Sequence, residues 1–310
     1  MASIDSGIRD KGAARAPAPA APKAVHAVVG ARTHFRRFTA FQRWVHFFIM
    51  VSFSALVLTG MPLKYSDKAW AQTWMGFIGG VDNAGMIHRF SALIMVACVI
   101  AMLGFFLKIL VQTRGRFWGP GSMVPGRQDY RDLKAMVSWF IGRSPRPKLQ
   151  LDRYAYYEKG EFWAASGGVT IMCVTGAILW YPEVAARYMP GIVINFALVN
   201  HSGGALLAMG FVVVFWHFFH AHLRPESFPM DKAMYAGGLP LEEYAHERPA
   251  EYERLVTQGK LDEVLVAPVS ERHMKIQNVV WWIITGAALF LWAVFCIFVV
   301  WVTYNWIISF

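Results

Sequence analysis

Histidines stand at both edges of an apolar segment that is long enough to cross a membrane. The segment "VNHSGGALLAMGFVVVFWHFFHAHL" occupies residues 199–223 and is otherwise built from apolar and small side chains. Its four histidines are His201, His217, His220 and His222. Two more, His46 and His88, lie at the edges of earlier apolar stretches. An imidazole can move a proton near neutral pH or ligate a transition metal or haem iron, so the chemistry depends on which histidines share a depth in the membrane.

The composition indicates an integral membrane protein. Of the 310 residues, 56% are hydrophobic and only 16% are charged, whereas about a quarter of the residues are charged in a typical soluble domain. The net charge of +10 is explained by basic loops at the cytoplasmic face, so no nucleic-acid partner is expected. The three cysteines form neither a CxxC pair nor a CxxCH motif, which argues against a disulfide framework, a thiolate metal site and covalent haem attachment.

Five apolar stretches have about the 20 residues that a bilayer core requires. They cover residues 41–62, 87–112, 162–182, 192–222 and 277–307. The predicted domains are a disordered basic tail at 1–40, a four-helix bundle at 41–222, a helical cytoplasmic loop at 223–276, and a fifth transmembrane helix with the C-terminus at 277–310. The expected fold is therefore an all-α integral membrane protein, with a four-helix bundle plus a fifth transmembrane helix.

Basic residues predict the face of the membrane on which each loop lies. The segment before the first span, the loop between spans two and three and the loop between spans four and five together hold 25 Lys and Arg residues. The segments on the other side hold four. Because basic loops stay inside, the N-terminus is expected in the cytoplasm and the C-terminus on the periplasmic side or its equivalent.

This orientation gives the histidines two matched depths. His46 shares the cytoplasmic face with the inner end of the fourth span, and His88 shares the outer face with His201. Haem iron accepts two axial imidazoles, which facing helices of a four-helix bundle can supply. The residues from His201 to His217 would span about 24 Å of straight helix, a separation that suits one haem in each leaflet.

The alternative for any single histidine is a hydrogen bond between helices. A lone intramembrane or interfacial histidine more often has that role than ligates haem. The prediction of haem depends on four histidines at matched depths on the correct helices. Zinc is a weaker prediction, because the sequence shows no carboxylate or thiolate partner at the depths of these histidines.

Four segments around these histidines resemble one known family. "FQRWVHFF" is similar to an Arg-x-x-His motif of a first helix, and "GMIHRFSALIM" to a histidine segment of a second helix. "RYAYYEKGEFWA" resembles the stretch that leads into a third helix, and "NHSGGALL…WHFFHAHLRPE" resembles a fourth helix. The family is that of the dihaem cytochrome b subunits of membrane formate dehydrogenases, nickel–iron hydrogenases and thiosulfate reductases. The resemblance covers roughly residues 36–226.

The resemblance implies two haem b groups, each ligated by two histidines. The inner histidine of span four and His46 would ligate the cytoplasmic-side haem, and His88 and His201 the outer one. In this family the quinone reacts near the inner haem, and the outer haem faces an iron–sulfur or multihaem cytochrome c subunit. The chain is therefore expected among the lipids of a bacterial inner membrane. Arg43 and Arg89 would meet haem propionates, unless they only extend from the membrane edge toward water.

The inner ligand is the position where the sequence departs from the family pattern. The two histidines on the family's fourth helix are usually 14 residues apart, which is nearly a whole number of turns. Here His217 follows His201 by 16 residues, a rotation of about 160° beyond whole turns on an ideal helix, and His220 gives about 100°. His217 is preferred for its distance to "LRPE", and His220 remains the alternative. Gly203 and Gly204 are placed where an irregular turn could restore the register.

The expected function is electron transfer between quinone and a periplasmic-side partner. Tyr157, Glu158 and Lys159 are candidate proton donors for quinone, although an ordinary basic loop would contain such residues too. No molybdopterin, nickel or iron–sulfur module is recognisable, so the substrate chemistry is expected in another subunit. Two alternatives stay open. A transporter is disfavoured because no inverted repeat is found, and a purely structural anchor would need no histidine pairs.

Overall fold

The computed structural model describes residues 32–307 except for 225, 226 and 229. Most of the predicted tail and the last three residues therefore lie outside the described residues. In chain order the elements are β1 His34–Arg36, α1 Ala40–Lys64, α2 Ala69–Phe77, α3 Val81–Gln112, α4 Arg127–Phe140, α5 Tyr156–Trp180, α6 Pro182–Tyr188, α7 Gly191–Val199, the π-helices π1 Asn200–His217 and π2 Phe219–Leu223, α8 Ala233–Ala236, β2 Gly238–Pro240, α9 Leu241–Glu247, α10 Pro249–Thr257, α11 Leu261–Val264, β3 Leu265–Val266 and α12 Glu271–Ile307.

Three helices within the described residues, α1, α3 and α5, are long and apolar enough to cross a membrane. They correspond to the first three predicted spans. The fourth predicted span is occupied by α7, π1 and π2 in succession, and the fifth lies within α12. The predicted class, a helical integral membrane protein, is confirmed. The number of membrane crossings stays a prediction.

The second membrane helix begins earlier than its hydropathy predicts. α3 begins at Val81, directly after Gly80, whose φ of 97° ends the preceding turn. The polar first turns of a helix do not raise the hydropathy, so a span predicted from apolar residues starts too late. As a result, His88 lies about two turns inside α3 rather than at its beginning.

The bundle is assembled from two helix pairs. α1 packs along α3, and α5 packs along π1. Small hydroxyl side chains are buried in these helices, among them Ser52, Thr59, Ser91 and Thr175. Large apolar side chains such as Phe90 face outward. This arrangement is typical of membrane helices, which approach closely through small residues and turn large apolar ones to the lipid.

The fourth predicted span contains a long π-helix from Asn200 to His217. A π-helix bonds residue i to residue i+5 and therefore takes more residues per turn than the 3.6 of an α-helix. His201 and His217 both contact the neighbouring α5, through Thr175 and Glu161, so the wider turns return the two histidines to a similar face. The irregularity expected at Gly203 and Gly204 is present, and it extends over the whole segment.

A small sheet joins the N-terminal segment to the loop before α12. β1 pairs antiparallel with both β2 and β3, so Phe35 lies opposite Leu239 on one side and Leu265 on the other. Phe35 is fully buried, and its ring stacks on Tyr244 with the centroids 3.7 Å apart. The tail predicted to be disordered up to residue 40 therefore contains a strand at 34–36. The loop predicted to be helical contains two strands. Strands of two or three residues are too short to show alternation in a sequence.

A partly buried carboxylate connects this sheet region to the start of α5. Glu158 accepts hydrogen bonds from Arg37 at 3.0 Å and from Arg248 at 2.9 Å, and it caps α5 by accepting from the backbone N–H of Ala155 at 2.7 Å. Both arginines are almost completely buried. Buried charges need such partners, so Glu158 links three parts of the chain.

A second carboxylate links two of the basic loops. The Arg254 guanidinium donates to both oxygens of Asp152, at 2.8 and 2.7 Å, and the backbone N–H of Gly121 donates to the same carboxylate at 3.0 Å. Burial opposes ionisation of Asp152, but these partners outweigh it and lower the pKa of the carboxyl group. Together with the links from Arg37, these contacts place all three basic segments on one side of the bundle, as the charge pattern predicts.

Candidate functional site

His46 and His217 come together at the end of the bundle nearest the sheet. His46 lies on α1, and His217 is the last residue of π1. Their ring centroids are 6.1 Å apart, and their planes make an angle of 47°. Glu161, on the neighbouring α5, forms a hydrogen bond with Nδ1 of His217. Because an ionised carboxylate only accepts, this contact assigns the proton to Nδ1 and leaves Nε2 with a lone pair.

His88 and His201 come together at the opposite end. His88 lies on α3 and His201 on π1, with ring centroids 6.2 Å apart and planes at 77°. Thr59 Oγ1 on α1 is 3.0 Å from Nδ1 of His88, and Thr175 Oγ1 on α5 is 3.2 Å from Nδ1 of His201. Each imidazole of this pair is therefore held through Nδ1 by a hydroxyl group from the adjacent helix.

Both separations fit a metal ion between two imidazoles. A transition metal lies about 2.0 Å from an imidazole nitrogen, which places the ring centroids of two opposed ligands about 6 Å apart. The rings can turn about their bonds to the metal, so both interplanar angles are compatible with this arrangement. Within the described part of the chain, no three His, Cys, Asp or Glu side chains are grouped to hold a metal ion by themselves. Two-histidine sites that leave the other coordination positions to a porphyrin therefore fit the donor set.

Glycines bring the neighbouring helices close to the outer pair. A Cβ on Gly60 would lie 3.1 Å from Cε1 of His88, and a Cβ on Gly176 would lie 2.9 Å from Cε1 of His201. Each glycine directly follows the threonine that contacts the same imidazole. A Thr-Gly dipeptide on α1 thus contacts His88, and another on α5 contacts His201.

His220 lies apart from the inner pair. Its ring stacks on Tyr157 with the centroids 4.5 Å apart and the planes 5° apart, and its Nδ1 is 2.9 Å from the carbonyl oxygen of Trp216. Arg224 donates a hydrogen bond to the hydroxyl group of Tyr157. Of the two alternatives for the partner of His46, the structure brings His217 to that position.

The two arginines predicted to meet propionates have different surroundings. Arg43 donates from Nε to the carbonyl oxygen of Met234 at 3.3 Å and from its guanidinium to that of Tyr235. It therefore fixes the segment after π2 to α1. Arg89 is exposed next to His88.

The residues predicted as proton donors for quinone are also divided. Lys159 forms an ion pair with Asp129 at 2.9 Å, and Glu158 is bound by the two buried arginines of the sheet region. Tyr157 is left beside His220. Two of the three predicted residues thus stabilise the fold, and one borders the inner histidines.

The curated relatives of this chain are named as cytochrome b556 subunits of formate dehydrogenases. No family model matches the chain. It is 26% identical over 187 residues to the formate dehydrogenase cytochrome b556(fdo) subunit of Escherichia coli (strain K12), which is 60% of this chain and 77% of the relative. It is 21% identical over 173 residues to the nitrate-inducible formate dehydrogenase cytochrome b556(Fdn) subunit of the same strain and to that of Shigella flexneri, which is 56% of this chain and 71% of each relative.

The chain is similar to formate dehydrogenase cytochrome b subunits. This finding confirms the resemblance that the histidine segments indicate. Together with the membrane-length helices, it indicates a membrane electron-transfer subunit.

Three side chains near the histidines were missed by the sequence reasoning. They are Thr59, Thr175 and Glu161. The expectation that no carboxylate lies near the histidines is wrong at the inner pair, because Glu161 approaches from another helix. A sequence signal existed for the threonines, since α1 contains "LTG" and α5 contains the similar "VTG".

Proposed function

We propose that this chain is a cytochrome b subunit that passes electrons across a bacterial inner membrane between quinone and a periplasmic-side redox partner. The observation that carries the proposal is the presence of two histidine pairs, with ring centroids 6.1 and 6.2 Å apart, at opposite ends of one helical bundle. The relatives, named as cytochrome b556 subunits, support haem b as the group between each pair.

In this proposal, His88 and His201 hold an outer haem b, and His46 and His217 hold an inner one. Each bound haem iron supplies a one-electron carrier. The imidazoles fix its position, and the packed helices keep water away from it. Both sites share π1, with His201 near its beginning and His217 at its end. In this arrangement, the two haems would pass electrons from one leaflet to the other.

At the inner end, the proposal includes reaction with quinone. Reduction of a quinone consumes protons as well as electrons, so the site needs acidic or basic groups beside the inner pair. His220 follows His217 by three residues and stacks on Tyr157, and Glu161 is hydrogen-bonded to His217. These three side chains are the proposed route for protons between quinone and the cytoplasmic side.

At the outer end, the partner is proposed to be an iron–sulfur or multihaem cytochrome c subunit. The relatives' names include formate dehydrogenase, which supports a separate subunit for the substrate chemistry. The exposed guanidinium of Arg89 is proposed to pair with a propionate of the outer haem, because Arg89 directly follows His88 in the sequence. Arg43 is a weaker candidate for the inner haem, because its guanidinium already holds backbone carbonyl groups.

An absorption spectrum of the purified chain, reduced with dithionite, tests the proposal. We expect a b-type α-band and about two haems per chain by haem extraction. A chain without haem would contradict the proposal and would favour a transporter or a structural anchor.

The pairing is tested by substitution of single histidines. His88→Ala and His201→Ala are expected to remove the same haem, and His46→Ala the other one. The exposed His273 provides a matched control, and His273→Ala should retain both haems. Loss of different spectral components from His88→Ala and His201→Ala would contradict the pairing.

A further inference from the structure

Two buried threonines occupy equivalent positions behind the outer histidine pair. Thr59 on α1 and Thr175 on α5 are 3% and 5% exposed. Each precedes a glycine that lies against the imidazole of the next helix. A buried hydroxyl group needs a hydrogen-bond partner, and here its possible partners can be counted.

The single hydrogen of each hydroxyl group is already used. Thr59 Oγ1 donates to the carbonyl oxygen of Ala55 at 2.7 Å, and Thr175 Oγ1 donates to that of Ile171 at 2.7 Å. A hydroxyl group has one hydrogen and two lone pairs. Toward the imidazoles, both threonines are therefore acceptors.

An acceptor next to Nδ1 assigns the proton of the neutral imidazole. Nδ1 must carry the hydrogen that each threonine accepts, at 3.0 Å for His88 and 3.2 Å for His201. Nε2 of both histidines is thereby left with the lone pair that a metal requires.

We propose that Thr59 and Thr175 are positioning residues that orient the two imidazoles of the outer site and set the electron donation of their Nε2 atoms. This inference rests on the proposed function, since it concerns the haem held by His88 and His201. A hydrogen bond from the second ring nitrogen fixes the orientation of a ligating histidine and raises its basicity. A more basic ligand stabilises the oxidised iron and lowers the reduction potential.

The inner site provides an internal comparison. There, Glu161 rather than a hydroxyl group accepts the hydrogen bond from His217. Among the described contacts, Thr59 and Thr175 contact only the outer histidines. Removal of their hydroxyl groups is therefore expected to affect only the outer haem.

The test is a redox titration of the complete chain in which the threonine hydroxyl is removed and then restored. We expect Thr59→Val and Thr175→Val each to raise the midpoint potential of the outer haem and to shift its low-temperature EPR signal. The histidines themselves remain, so both haems should be retained. The double variant should shift the same component further, because both histidines would ligate one iron. Thr59→Ser and Thr175→Ser keep the acceptor and should return the potential toward that of the unsubstituted chain.

Thr170 is the matched control. It lies on α5, and its Oγ1 donates to the carbonyl oxygen of Ser166 at 2.8 Å, but it is exposed. Thr170→Val should leave both potentials unchanged. The proposal is overturned if the valine variants bind two haems with unchanged potentials and EPR signals. It is equally overturned if serine fails to reverse the change, because that result would assign the effect to packing. Absence of haem from the unsubstituted chain would instead refute the proposed function.

Discussion

At the scale of single residues, the two histidine pairs differ in the groups behind the imidazoles. His217 donates a hydrogen bond to a carboxylate, whereas His88 and His201 donate to hydroxyl groups. Hydrogen bonds to charged acceptors are stronger than those to neutral ones, and they give the imidazole more anionic character. The two proposed haem sites thus have ligands of the same type, two histidines each, in different electronic surroundings.

We expect His217→Ala to remove the inner haem and His220→Ala to retain both. The His217 ring lies 6.1 Å from that of His46, whereas the His220 ring is stacked on Tyr157. If His220 supplies a proton, its loss should slow quinone turnover by at least about 100-fold, the lower range for a general acid or base. Low-temperature EPR and a quinone reductase assay measure the two effects separately.

His222→Ala is the companion variant at the same end of the helix. His222 is buried beside Phe218, with ring centroids 5.5 Å apart, and its removal should leave both haem signals in place. If His220→Ala lost the inner haem while His217→Ala kept it, the register of π1 would differ from the described one by about one turn.

The sequence predicted which residues share a depth, but not the groups that orient them. The depths of His46, His88 and His201 follow from the hydropathy and the charge of the loops. The contacts of Thr59 and Glu161 depend on the rotation of one helix against another, which a single sequence does not specify. A threonine in an apolar helix also has an ordinary role in bonding its own backbone, as Thr170 shows, so its type carries little information.

At the scale of elements, the apolar helices were predictable and the irregular segments were not. Hydropathy located α1, α3 and α5 because about 20 apolar residues are needed to cross a bilayer. The ideal helix geometry failed for π1, where the 16-residue spacing of His201 and His217 is accommodated by wider turns. The sheet was missed because its three strands come from segments far apart in the sequence.

We expect Glu158→Gln to destabilise the junction between the sheet and α5. Glu158 is the shared partner of Arg37 and Arg248, both almost completely buried. Removing one partner of a buried ion pair typically costs about 3–5 kcal/mol, because the remaining charge is left in a poorly solvated position. Thermal unfolding in detergent, followed by circular dichroism, should show a lower midpoint.

Glu253→Gln is the matched control for this substitution. Glu253 is exposed on α10 in the same region, and surface charges of this kind contribute at most about 1 kcal/mol. Equal midpoints for Glu158→Gln and Glu253→Gln would show that the buried network does not stabilise the junction.

At the scale of the whole molecule, one side of the bundle carries almost all of the positive charge of the described residues. The N-terminal segment, the loop before α5 and the region between π2 and α12 contact one another through Arg37, Arg153, Glu251, Arg254 and Asp152. Their common side is therefore a property of the fold as well as a prediction from charge. Which compartment this side faces follows from the rule that basic loops remain in the cytoplasm.

We predict that the sheet faces the cytoplasm and that Phe310 lies on the opposite side of the membrane. The basic segments hold 25 Lys and Arg residues and the opposite segments four, an asymmetry that strongly favours this orientation. A phosphatase that is active only in the periplasm should therefore work when fused after Phe310. A fluorescent protein that matures only in the cytoplasm should fluoresce when inserted at the turn of Gly259, between α10 and α11. The reverse result for both reporters would invert the topology and make His88 and His201 the cytoplasmic pair. An inactive phosphatase after Phe310 together with fluorescence at Gly259 would show that α12 does not cross the membrane as a single span. The histidine pairs would then keep their proposed compartments.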